Sequence, residues 1–256
     1  MTQQPQFTKT ELYDILAPHI FPHYGWLQDE LLKLMAVVHP SPRVVVDLGA
    51  GNGRLLEKLL AQFPSTQAYW LDASEEFLAL ARQRLAPYAG QVTFVLASLE
   101  DDWPAQLPTA PDVILSMLTL HHFETHEKQT VYHQCYDTVQ PGGWVLNLDE
   151  MKSLSETAYR RSLDWWFRHI EQCEGTLPAE ILPQYRQLQV GMRDWKARYL
   201  DNPLSPKTKA AGDDLHDPLL HQVEWFKKCG FCQVDLFVKY HLWCLIGGQK
   251  PVSGKW

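Results

Sequence analysis

Apolar positions along this chain recur with two different periods, and the points where the period changes mark its elements. Between residues 8 and 39 the spacing is helical, with Leu12, Ile15 and Leu16 followed by Leu27, Leu31, Leu34, Met35 and Val38. Pro18 and Pro22 punctuate the join, and Pro40 and Pro42 close the segment. Beyond it, short β-branched runs alternate with amphipathic stretches. Residues 43–48, 67–72, 92–97, 112–117 and 144–148 read as strands, the first of them apolar enough to be buried on both faces. Three helical stripes separate them: Leu55, Leu56, Leu59, Leu60 and Phe63; then Phe77, Leu78, Ala81 and Leu85; then Val131, Tyr132, Cys135, Tyr136 and Val139. Ser74 is a good N-cap for the second stripe, Pro87 ends it, and Pro141-Gly142-Gly143 is a turn. This alternation predicts an α/β fold with a parallel, doubly wound sheet.

Residues 151–216 break the rhythm. Ser153 and Glu156 have capping-box spacing before a helix whose face carries Tyr159, Leu163, Trp166, Phe167 and Ile170. Pro203 to Asp214, rich in Pro, Lys and Asp, should be loop. Asp217-Pro218 then opens a helix carrying Leu219, Leu220, Val223 and Phe226, with Gly230 as its C-terminal cap. Residues 231–238 and 241–246 resemble a terminal antiparallel strand pair.

A chain of 256 residues can bury one large α/β domain with an insertion. No apolar run reaches the ~18 residues of a membrane helix, and the first five residues lack the pattern of a secretion signal, so a cytoplasmic protein with no membrane partner is expected. The net charge of -7 disfavours nucleic acid as partner, since the densest basic stretch, residues 186–198, is dilute and includes Asp194. Five cysteines without an export signal suggest reduced, mostly buried thiols. Cys229, Cys232, His241 and Cys244 imitate a zinc pattern. Gly230 and Phe231 are already explained by a helix cap and a strand start, and residues three apart on a strand face opposite ways, so no metal ligands are expected.

The chemistry concentrates in Val44-Val45-Val46-Asp47-Leu48-Gly49-Ala50-Gly51-Asn52-Gly53. A buried strand runs into a glycine-rich turn and then a helix. Glycine there lets a ligand approach the backbone, and the helix N-terminus presents free N–H groups. Asp72 ends the next strand, where a carboxylate can accept from both hydroxyls of a ribose. Arg54 stands where a dinucleotide fingerprint needs its third glycine, and Asp47 would repel a pyrophosphate. Asp47 suits instead a ligand bearing an ammonium and a sulfonium.

The segment resembles motif I of the class I S-adenosylmethionine (SAM)-dependent methyltransferases, and further landmarks follow in order: Asp72, Ala97-Ser98-Leu99-Glu100-Asp101, Pro111 to His122, Pro141-Gly142-Gly143 and Cys229-Gly230-Phe231. The resemblance implies a Rossmann-like sheet of seven strands, the last antiparallel, with helices on both faces. It implies SAM as cofactor, held by Asp47, Gly49, Ala50, Gly51, Asn52, Asp72, Ala73, Ser98, Leu99, Glu100 and Met117. The chain then divides into an N-terminal helical cap (1–39), a SAM-binding core (40–150), a helical lid insertion (151–216) and a helix with a strand pair that completes the sheet (217–250). Phe21-Pro22-His23-Tyr24, with residues 219–231, looks like the carboxy-SAM synthase and tRNA wobble-uridine branch of the superfamily.

Acceptors in such folds sit beyond the C-terminal ends of the strands. Methyl transfer is an in-line displacement, and a general base is needed only when the acceptor must lose a proton. His121 is the first candidate for a catalytic group near the methyl, against a purely structural role in ordering its loop. Tyr24, His122, Glu150, Trp165 and Tyr199 are candidates for contact with a small-molecule acceptor, with Asp149 also in reach. Trp166 falls on the apolar stripe and reads as core, and Arg193 and Arg198 read as a solvated helix face. A small-molecule methyltransferase is the first expectation. A tRNA-linked or carboxy-SAM enzyme and a non-catalytic SAM-binding protein are the alternatives.

Overall fold

A computed structural model describes residues 9–201 and 213–252. Its frame is a seven-stranded sheet: β1 (Val44–Leu48), β2 (Gln67–Asp72), β3 (Val92–Leu96), β4 (Val113–Met117), β5 (Trp144–Glu150), β6 (Cys232–Tyr240) and β7 (Trp243–Gln249). The spatial order is β3-β2-β1-β4-β5-β7-β6. β1 to β5 are mutually parallel, whereas β7 runs antiparallel to both β5 and β6. The order reverses at β1, so the carboxyl ends of β1 and β4 flank the crevice in which ligands of open α/β sheets bind.

Alternation along the strands divides the core into two layers. Val45, Leu115, Leu146 and Leu245 face one side, packed with α2 (Tyr24–Val38), α3 (Arg54–Gln62) and α4 (Glu75–Arg84). Val46, Ile114, Val145 and Ile246 face the other, packed with α5 (Thr125–Thr138) and α8 (Leu219–Cys229). β5 is buried at all seven positions, which explains why its sequence shows no polar alternation.

The N-terminal segment forms α1 (Lys9–Ile20) and α2, with Pro18 inside the first helix rather than after it. The insertion forms α6 (Glu156–Cys173) and α7 (Leu182–Lys196), followed by a π-helical turn over residues 197–201. The N-cap of α6 is Ser155, whose Oγ accepts from Ala158 N at 3.2 Å, and not the expected Ser153. Trp166 Nε1 donates to Ile20 O at 2.8 Å, so the insertion docks directly on α1. Most of the expected loop at 203–214 lies outside the described residues; Asp213 and Asp214 are within them. No helix among the described residues is long and apolar enough to cross a membrane.

Candidate active site

The glycine-rich turn is built by steric necessity. Gly49 has φ +66°, and a Cβ there would lie 2.2 Å from the Thr119 methyl at the end of β4. The turn is tied to β2: Gly49 N and Ala50 N donate to Leu71 O at 2.8 and 3.0 Å, and Gly51 N donates to Asp72 Oδ2 at 2.9 Å. Asp14 on α1 fastens the cap over this turn. Its carboxylate accepts from Arg54 and Arg84 at 2.9 Å each and from the Asn52 amide.

A cavity of about 650 Å³ opens beside the turn. Asp47, Gly49, Ala50, Gly51, Asn52, Asp72, Ala73, Ser98, Leu99 and Met117 line it, together with Tyr24 and His122. Glu100 does not: it is exposed, and the part of its turn that reaches the cavity is Ala97–Leu99. Tyr13, Gln28, Phe77 and Thr119 also line the space and were not anticipated from sequence.

Two buried polar groups in this cavity lack partners. Asp47 Oδ2 accepts no hydrogen bond, and both amide atoms of Gln28 are unpaired. Unsatisfied buried groups are costly, so they point to a ligand. Burial, helped by the neighbouring Asp72, pushes the Asp47 carboxyl up to about 8. SAM fits this donor set: its ammonium would meet Asp47, its amino-acid end suits an amide that both donates and accepts, and its ribose hydroxyls would meet Asp72.

A second cavity of about 720 Å³ shares Tyr13, Leu118 and His122 with the first. Ile20, Phe21, Trp166, Leu188, Met192 and Trp195 give it an apolar wall. Its polar end is His121, Asp194, Arg198, Asp213 and Asp214. Arg198 donates to both oxygens of Asp213, at 2.7 and 2.5 Å, instead of standing free in solvent.

His121 is buried. Its Nδ1 lies 2.5 Å from Asp149 Oδ1, and its backbone N donates to Asp149 Oδ2 at 2.9 Å. Burial opposes a charge on the ring, but Asp149, aided by Glu150 and Asp214, outweighs it and holds its pKa up to about 9. The charge on His121, and burial, in turn push His122 well below its ordinary value. Burial, with Glu150 beside it, raises Asp214 to about 6.

Three of the expected acceptor contacts are not brought to either cavity. Glu150 follows Asp149 along β5 and therefore faces the other way; its Oε2 lies 2.7 Å from His216 Nε2. Trp165 stacks on His241 at 4.1 Å with the rings 3° from parallel, on the side of α6 away from the cavities. Tyr199 donates to Asp213 Oδ2 at 2.9 Å and stacks on Trp195. It buttresses the second cavity without lining it. Of the imitated zinc set, Cys232 Sγ donates to Gln249 O and Cys244 is buried in β7.

Residues 45–143 match the model of the methyltransferase domain family. The trans-aconitate 2-methyltransferase of Acidovorax sp. (strain JS42) is 37% identical over 51% of this chain and 51% of its own. The chain thus spans about half the length of this relative. Carboxy-S-adenosyl-L-methionine synthase 1 of Yersinia pseudotuberculosis serotype IB (strain PB1/+) is 24% identical over 88% of this chain and 85% of its own. Among solved structures, an O-methyltransferase family protein from Burkholderia thailandensis superposes with a TM-score of 0.66 at 18% identity, covering 95% of this chain and 60% of that one. The glycine turn and the strands β1 to β4 lie in the stretch that matches the methyltransferase domain, and the chain shares the fold of that solved O-methyltransferase family protein.

Proposed function

We propose that this chain transfers a methyl group from SAM to a small-molecule acceptor. One observation carries the proposal: the second cavity opens from the first at Tyr13, Leu118 and His122, beyond the carboxyl end of β4. Its size falls in the range of about 300–1,000 Å³ typical of small-ligand sites. Asp194, Asp213 and Asp214 on its wall disfavour a nucleic-acid phosphate backbone, whose recognition calls for unpaired Lys and Arg.

When bound, SAM supplies a methyl already activated by its sulfonium. The protein's work is then alignment and exclusion of water. Asp47, Gln28 and Asp72 hold the donor, the apolar wall from α1, α6 and α7 orients the acceptor, and Tyr13 and Leu118 seal the junction. His121 and His122 stand at the polar end, where the acceptor atom would lie.

The test is incubation with SAM and a panel of phenols, amines and carboxylic acids, with S-adenosylhomocysteine (SAH) formation and product mass as readouts. SAH with one acceptor gaining a methyl group is the expected result. A carboxylated SAM as product would instead assign the chemistry named for the Yersinia relative, and SAM binding with no product from any acceptor class would favour a non-catalytic role.

A further inference from the structure

Three side chains meet where the two cavities join. Nε2 of His121 and Nδ1 of His122 each lie 3.6 Å from the same oxygen, Oδ1 of Asp214. That exceeds the usual length of an N–H···O bond, about 2.7–3.2 Å. It is close to the separation of two ligands on a tetrahedral ion, roughly 3.4 Å for bonds of about 2.1 Å. All three donor atoms lie within 4.8 Å of one another. The contact of His122 Nδ1 with Asp213 O, at 3.4 Å, is likewise long for a hydrogen bond.

The surroundings suit a bound cation. Asp149 engages Nδ1 of His121, which leaves Nε2 as the nitrogen turned toward Asp214. A carboxylate on the far ring nitrogen is the usual way a metal-ligating histidine is oriented. Asp149, Glu150 and Asp214 gather here, and the nearby Lys128 is committed to Asp217 at 2.7 Å. The adjacent trio of Glu150, Asp214 and His216 is different. Both ring nitrogens of His216 are already engaged, by Glu150 and by Tyr159 at 2.7 Å each.

We propose that His121 Nε2, His122 Nδ1 and Asp214 Oδ1 bind one divalent metal ion of the zinc type. Two imidazoles and one carboxylate favour such ions over magnesium or calcium, and three protein ligands leave a fourth position open toward the cavities. For the methyl transfer proposed above, on which this use of the ion rests, an acceptor hydroxyl would take the fourth position. The ion would lower its pKa and its proton would pass to solvent. The oxygen would then form the new bond to the methyl carbon as the carbon–sulfur bond breaks, its electron pair returning to sulfur to leave neutral SAH.

The experiment uses the untagged chain stripped with chelator, titrated with Zn²⁺ by calorimetry and with Co²⁺ by visible absorption. One ion per chain and tetrahedral Co²⁺ bands are expected. His122→Gln and Asp214→Asn should each weaken Zn²⁺ binding by about tenfold or more and abolish the bands. Both variants should unfold in urea in one cooperative transition, as the unaltered chain does, which shows that they are folded. Absence of Zn²⁺ and Co²⁺ uptake, or uptake unchanged in both variants, would overturn the proposal. SAH binding by the unaltered chain reports separately on the methyltransferase function, so the two can fail independently.

Discussion

The ring of His121 and the carboxylate of Asp149 form a two-point clamp, with Nδ1 2.5 Å from one oxygen and the backbone N donating to the other at 2.9 Å. Both residues are buried, at 3% and 1% exposure. Asp149→Asn should therefore destabilise the fold by about 3 kcal/mol, the lower end for breaking a buried pair. In a domain of this size that is a fall in melting temperature of roughly 6–12 °C. Urea unfolding checks it, and a variant as stable as the native chain would show that other contacts hold the ring.

Asp47 should make ligand binding pH-dependent. Its folded pKa of about 8 lies above the unfolded value, so without ligand the carboxyl is protonated at neutral pH. This group's contribution to stability is complete below about pH 4 and is lost as pH rises through 8. An ammonium beside Asp47 reverses the preference. Binding of SAH at pH 7 should then release about one proton, measured by calorimetry in buffers of different ionisation enthalpy. Asp47→Asn should bind more weakly and release none; unchanged release would assign the proton elsewhere.

Gly49→Ala should cost both stability and cofactor. The new methyl would stand 2.2 Å from Thr119 at a φ of +66°. Overpacking of this kind costs about 1–3 kcal/mol, and the turn must shift to relieve it. A lower urea midpoint with SAH binding lost is the expected outcome, and native-like behaviour on both counts would contradict the steric account.

The sheet, the glycine turn and Asp72 were legible because each depends on neighbours in sequence: a buried strand, a turn that only glycine can make, and the next strand's end. Gln28 left a faint mark, a polar residue beside Leu27, Leu31 and Leu32 on the buried stripe of α2. Tyr13 left none, since an aromatic on an amphipathic helix reads as core. The pairing of His121 with Asp214 crosses from the end of β4 to the segment before α8, a separation no local pattern reports. The stacking of Trp165 on His241 left no mark either, because His241 sits on a hairpin turn that periodicity along α6 cannot locate.

Filling the second cavity should separate acceptor from cofactor. Met192 lines that cavity and not the first. Met192→Trp should raise KM for the acceptor or abolish turnover while SAH affinity stays unchanged. Steady-state kinetics beside SAH calorimetry tests this, and full activity would place the acceptor elsewhere.

The most direct test of the whole account is calorimetry with SAM, SAH and NAD in parallel, on the native chain and on Asp72→Ala. Both adenosyl ligands should bind, NAD should not, and the variant should bind roughly ten to a hundred times more weakly, as expected for losing hydrogen bonds to a charged acceptor. Failure of both adenosyl ligands to bind, or an affinity untouched by Asp72→Ala, would contradict it.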